Sequence, residues 1–135
     1  MKKYKTTLLA SIVVSIILEA LPFGAVCNFA TPEKTIRQTF SYFSLTPYGY
    51  ANFGPFITAC LTCLLLFLSV LLFTKFSDRI KKIAIIISGI SVLASFMPLI
   101  FGINNYSILG GIISAMMIIQ FIIITIIKRG NKNET

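Results

Sequence analysis

The sequence predicts an all-α membrane protein: four transmembrane helices in a bundle, with a short outer amphipathic helix between helices 1 and 2. Three observations carry this expectation. Apolar stretches of membrane length recur along 135 residues that are 56% hydrophobic and only 12% charged. A soluble domain carries about 25% charged residues, so a surface of this composition calls for lipid as its solvent. The basic residues stand at the ends of the apolar stretches. One aromatic-rich segment, from Cys27 to Phe56, breaks the pattern and holds Phe29, Phe40, Tyr42, Phe43, Tyr48, Tyr50, Phe53 and Phe56.

The first span is expected at 6–26, behind Lys2, Lys3 and Lys5. A helix rises 1.5 Å per residue, so about 20 residues cross a hydrocarbon core of about 30 Å. A basic start followed by an apolar run also describes a secretory signal. However, Leu18 stands two residues before Ala20 and Phe23 two before Ala25, so neither alanine ends a small-x-small cleavage site. An uncleaved span is the better reading.

The segment 27–54 is read as an outer loop. Thr31-Pro32-Glu33 has the form of a helix start, with a Thr cap, Pro at the first position and an acid in the first turn. Ile36, Phe40 and Phe43 then recur at i, i+4 and i+7, one face of a helix. That helix should end near Leu45, because Thr46 precedes Pro47. Gly54-Pro55 restarts a helix for the second span, 55–73. Lys75, Asp78, Arg79, Lys81 and Lys82 form a charged hairpin loop. The third span is expected at 83–101, the uncharged turn at 102–107, the fourth span at 108–127, and a disordered polar tail at 130–135. The whole chain forms one membrane domain.

The formal net charge is +8. The basic residues form no separate domain, so nucleic acid is not the expected partner. They gather instead at the N-terminus, in the 75–82 loop and at Lys128-Arg129, while the 27–54 loop has only Lys34 and Arg37. Positive charge marks the cytoplasmic side. Both termini are therefore expected inside a cell membrane, with loop 27–54 outside and the bilayer as first partner.

Three cysteines and no histidine leave too few ligands for a structural zinc centre, which usually takes four. No metal or cofactor is expected, and the commonest general base is missing. Neither a nucleotide loop nor a hydrolase motif is present.

Glu19 is the only acid within a span, and an intramembrane ionisable residue is a functional candidate by default. Counted from the outer ends of the spans, Glu19 lies seven residues below Val26, Thr62 seven below Pro55, Ser95 seven below Gly102 and Ser114 six below Ile108. Four spans thus place a polar residue about 10 Å below the outer surface. This layer is a candidate pocket beneath the aromatic loop, with Thr62 and Ser95 as partners for Glu19 and Arg37 as a cation that reaches it if the loop folds down. The competing reading is packing, since Ser and Thr are common where membrane helices approach closely. Ser88, Ser91 and Ser95, and Gly110-xxx-Ser114, have that small-residue spacing, and Gln120 calls for a partner on another helix.

Cys60-Leu-Thr-Cys63 is a C-x-x-C near the outer end of the second span. With the four spans, it resembles the quinone-coupled disulfide-forming enzymes and the vitamin K epoxide reductase family. That resemblance implies a thiol oxidoreductase with Cys60 and Cys63 as its redox pair. Its second cysteine pair is absent here, where only Cys27 is left. The apolar flanks favour packing thiols. Four spans with a glutamate in the first are similar to the small multidrug resistance family, which implies proton-coupled transport through Glu19. The long outer loop and the strong charge bias depart from that family.

The reading that best fits the whole chain is a small multi-pass protein of non-enzymatic type. It binds or assists another membrane component, a partner protein or a second copy, through the aromatic loop and the polar layer. The rings of the loop also suit an interfacial belt.

Overall fold

The computed structural model describes residues 2–50, 52–74 and 77–130. The expected disordered tail therefore lies almost wholly outside the described residues. Along the chain come α1 (Lys2–Ala20), β1 (Ala25–Ala30), β2 (Thr35–Phe40), α2 (Leu45–Tyr50), α3 (Gly54–Leu71), α4 (Ser77–Ile100), a short 3-10 turn (Ile103–Asn105) and α5 (Ile108–Gly130). Among the described residues, three helices, α3, α4 and α5, are long and apolar enough to cross a membrane. Their outward faces carry large apolar side chains such as Leu93, which is 74% exposed, as a membrane-embedded protein requires. The long helix α1 packs on α3 and α5, α3 also packs on α4, and α4 on α5.

One end of this arrangement is apolar inside and basic outside. Leu8, Leu65, Leu72, Ile80, Ala84 and Ile127 share a core cluster, so the start of α1, the end of α3, the start of α4 and the end of α5 meet there. Lys5 Nζ donates to the carbonyl of Leu72 and lies over the Phe73 ring, 5.7 Å from its centroid. A cation at a helix C-terminus satisfies free carbonyls and complements the dipole. A second cluster, Ala25, Tyr42, Ala59, Ile113 and Met117, fills the opposite end.

Two expectations for the outer segment are corrected. Residues 31–45 do not form an amphipathic helix: β1 and β2 make an antiparallel hairpin, with Phe29 opposite Ile36, Cys27 opposite Gln38 and Ala25 opposite Phe40. Thr31-Pro32-Glu33-Lys34 closes it, the Thr31 amide donating to the Lys34 carbonyl at 2.9 Å. Pro at the second position of a turn uses the same fixed φ that suits a helix start. Ile36 and Phe40 are also an even number apart, so they share a face in a strand as well as in a helix. The second correction concerns Pro47. It sits in the first turn of α2, where its missing amide costs nothing, and so begins a short helix near the point where the expected helix was to end.

The first helix stops at Ala20 instead of running to Val26, and the chain turns through Pro22 and Gly24 into β1. At the start of α3, a Cβ on Gly54 would stand 2.8 Å from Met97 Cβ and 3.0 Å from the Ala94 carbonyl. That carbonyl is the one Pro98, inside α4, leaves without its helical amide. Glycine is what lets α3 approach α4 this closely.

Candidate functional site

The hairpin end covers a layer of buried polar side chains. Glu19, in the last turn of α1, is fully buried. Thr62 of α3 donates from Oγ1 to Glu19 Oε1 at 2.8 Å, and the same hydroxyl lies 2.8 Å from the carbonyl of Thr58. A hydroxyl has one hydrogen, so these two acceptors share it. Met117 of α5 closes the site with its sulfur 4.0 Å from Thr62 Oγ1. The second carboxylate oxygen, Glu19 Oε2, is buried with no hydrogen-bond partner among the described residues.

One turn deeper, Ser15 shares the Glu19 face of α1. Gln120 of α5 donates from Nε2 to Ser15 Oγ at 2.7 Å and to the Ser11 carbonyl at 3.2 Å. This is the cross-helix bond that a buried glutamine needs. Gln120 Oε1, like Glu19 Oε2, is buried and unpaired among the described residues. Two orphaned acceptors therefore occupy adjacent turns of one polar column.

The remaining residues of the expected layer are arranged differently. Ser95 donates to the Val92 carbonyl of its own helix at 2.7 Å and makes no bond to Glu19. Ser114 reaches the Ser95 carbonyl at 3.3 Å and shares a 2.7 Å bond with the Tyr106 hydroxyl. Ser95 and Ser114 thus form a second polar contact, between α4 and α5. Ser88 and Ser91 likewise bond to carbonyls of α4, as hydroxyls on a close-packed helix face do. Arg37 sits exposed on β2 opposite Asn28 and makes no ion pair with Glu19.

Tyr42 escaped the reading of the sequence. It is 1% exposed, and its amide donates to the Glu19 carbonyl at 2.9 Å. It therefore ties the chain after β2 directly to the end of α1. Its ring lies against Gly24, where a Cβ would meet ring carbons at 2.8 and 2.9 Å. Burial pushes the Tyr42 phenol well above its ordinary pKa, and the nearby Tyr106 and Glu19 push it the same way. The phenol is thus held neutral. No periodicity could reveal this residue, because its burial depends on the hairpin; Gly24 was the only local trace.

The three cysteines are free thiols. Cys60 and Cys63 are exposed on α3, whereas Cys27 is buried in β1, where burial raises its pKa. The structure does not gather them into one site. No protein-family model, curated protein or solved structure matches the chain.

Proposed function

We propose that this chain is a four-span, non-enzymatic membrane protein that binds and assists another membrane component through its hairpin end. In this reading α1 is the fourth span, with Lys2, Lys3 and Lys5 at its inner end. The hairpin end faces outward, and the basic end meets the anionic inner leaflet of the cell membrane.

The observation that carries the reading is Glu19 itself. Among the described residues, only one of its carboxylate oxygens has a partner. An unsatisfied buried acceptor costs about 1–3 kcal/mol, and a leucine in the same place would avoid that cost. A group kept at the expense of stability is a mark of function. The carbonyl of the same residue holds Tyr42, and through it the outer segment. Above this layer Phe23, Phe43, Leu45 and Phe53 are exposed, an apolar face suited to contact.

Site-specific photocrosslinking tests this. A benzophenone amino acid at Leu45 should give a discrete adduct in native membranes, absent when the probe is at Leu93 on the lipid-facing side of α4. Glu19→Leu should abolish the adduct while the protein remains abundant. Identical adducts from both positions would refute the reading.

A second reading, proton-coupled transport, is favoured by the free Glu19 Oε2, which has room in its hydrogen bonding to take up a proton. The substitution Glu19→Gln separates the two. It should retain binding but not proton coupling.

A further inference from the structure

Grooves interrupt the apolar outer surface, and two of them are formed wholly by described residues. The larger, about 490 Å³ between α4 and α5 around Gly89, Leu93 and Phe121, is lined by apolar residues throughout. Nothing in it favours one occupant over the bulk acyl chains of the membrane. The other, about 410 Å³, lies at the hairpin end between the end of α1 and the start of α5. Its walls include Leu21, Phe23, Ile108 and Ile112, and the exposed Arg37 also lines it.

We propose that this second groove is a binding site for an anionic phospholipid, with the headgroup phosphate on Arg37 and an acyl chain along Phe23, Ile108 and Ile112. The proposal rests on the reading above in taking the hairpin end as an outward binding face. It adds a class of ligand that the polar layer does not imply.

Four features support it. First, among the described residues the Arg37 guanidinium makes no hydrogen bond or ion pair and no acid lines the groove. A planar guanidinium is the side chain best suited to grip a phosphate with two parallel bonds. Second, α5 begins in the same groove. Ser107 caps it by accepting from the Gly110 amide at 2.8 Å, and the positive end of the helix dipole adds to the attraction for an anion. Third, the apolar walls are exposed, Phe23 by 61% and Ile108 by 89%. An acyl chain would cover them. Fourth, the geometry has a direction. Ile112 lies one turn below Ile108, about 6 Å deeper along α5 by helix rise. In the orientation proposed above, the apolar wall therefore leads from the start of α5 toward the bilayer interior. The volume falls within the range of about 300–1,000 Å³ typical of ligand sites.

Native mass spectrometry of the detergent-purified full chain tests this. Phosphatidylglycerol and phosphatidylcholine of identical acyl chains would be titrated separately. The wild type should bind phosphatidylglycerol about tenfold more tightly, the scale of one charge-assisted contact. Arg37→Gln should remove the preference, and Arg37→Lys should restore part of it. Because the basic end also attracts anionic lipid, Arg79→Gln serves as the control and should leave the difference caused by Arg37 in place. Leu21→Ser should weaken both lipids equally. Inorganic phosphate in excess should not displace the lipid. An unchanged preference in Arg37→Gln, or displacement by phosphate alone, would overturn the assignment. Neither result would alter the crosslinking outcome at Leu45, so the two readings fail separately. Arg37 is exposed on β2, and an unchanged melting temperature in Arg37→Gln distinguishes a lost contact from a lost fold.

Discussion

At the scale of single residues, Glu19 is held by a bond that a neighbour can do without. Thr62 keeps the Thr58 carbonyl as an acceptor when Glu19 is removed, so Glu19→Leu leaves no new unpaired hydroxyl. Its melting temperature should stay at or above that of the wild type, since replacing a half-satisfied polar group by an apolar one of similar size is often neutral or stabilising. Loss of binding in a protein that melts normally would mark the carboxylate as functional; a collapse of stability would mark it as structural. Tyr42 supplies a second test. Its pKa is raised by burial, so the folded state favours the neutral phenol. That contribution to stability is complete below the unfolded pKa of about 10 and is lost as pH rises above it, because the unfolded phenol ionises and the folded one does not. Spectroscopic titration should show Tyr42→Phe leaving the first phase of tyrosinate formation unchanged and removing only a phase that coincides with unfolding. Counting residues from the ends of the apolar runs was enough to pair Glu19 with Thr62. It could not place Ser95, whose hydroxyl turns back to its own helix, because depth along a helix says nothing about rotation around it.

At the scale of elements, the long helices were legible and the hairpin was not. The helices declare themselves by length and by the lack of charge, which lipid alone enforces. The outer segment has no such enforcement. Thr31-Pro32 fits a turn as well as a cap, and Ile36 with Phe40 fits either period. The choice was made by contacts far away in sequence. Ala25, Val26 and Cys27 are buried, Asn28 bonds to Asn105, and an isolated bridge joins Ala25 to Tyr106. The hairpin has a register that hydrogen exchange can read. The bond from Thr31 to Lys34 makes that pair a hydrogen-bonded one, and antiparallel pairs alternate. The amides of Ile36, Gln38 and Phe40 therefore point to β1, and those of Thr35, Arg37 and Thr39 to the free edge. The first three should exchange slowly in detergent or nanodiscs and the last three fast. Uniform fast exchange across 35–40 would mean that the hairpin is not held in this register.

At the scale of the whole molecule, the structure separates two ends that the charge pattern had already separated. Lys5 contacts the end of α3, Lys81 pairs with Asp78 at 3.0 Å at the start of α4, and Lys128 and Arg129 fall in the last turn of α5. The cluster of Leu8, Leu72, Ile80 and Ile127 holds these four helix ends together. Only Lys34 and Arg37 carry positive charge at the hairpin end. The helix α1 spans 19 residues, about 28 Å at 1.5 Å per residue, so it crosses a core of about 30 Å only if its lysines reach down to the inner interface. Long basic side chains at helix ends do this by snorkelling. On the proposed four-span reading, the positive-inside rule puts both termini in the cytoplasm and the hairpin outside. In a chain with Cys27, Cys60 and Cys63 replaced by alanine, a membrane-impermeant thiol reagent applied to sealed cells should label Ser44→Cys. It should label Ser77→Cys only after permeabilisation. Labelling of both positions in sealed cells would mean a mixed orientation, and the reverse pattern would invert the topology. Either outcome would take the hairpin, the groove at Arg37 and the layer around Glu19 away from the side that the proposed orientation gives them.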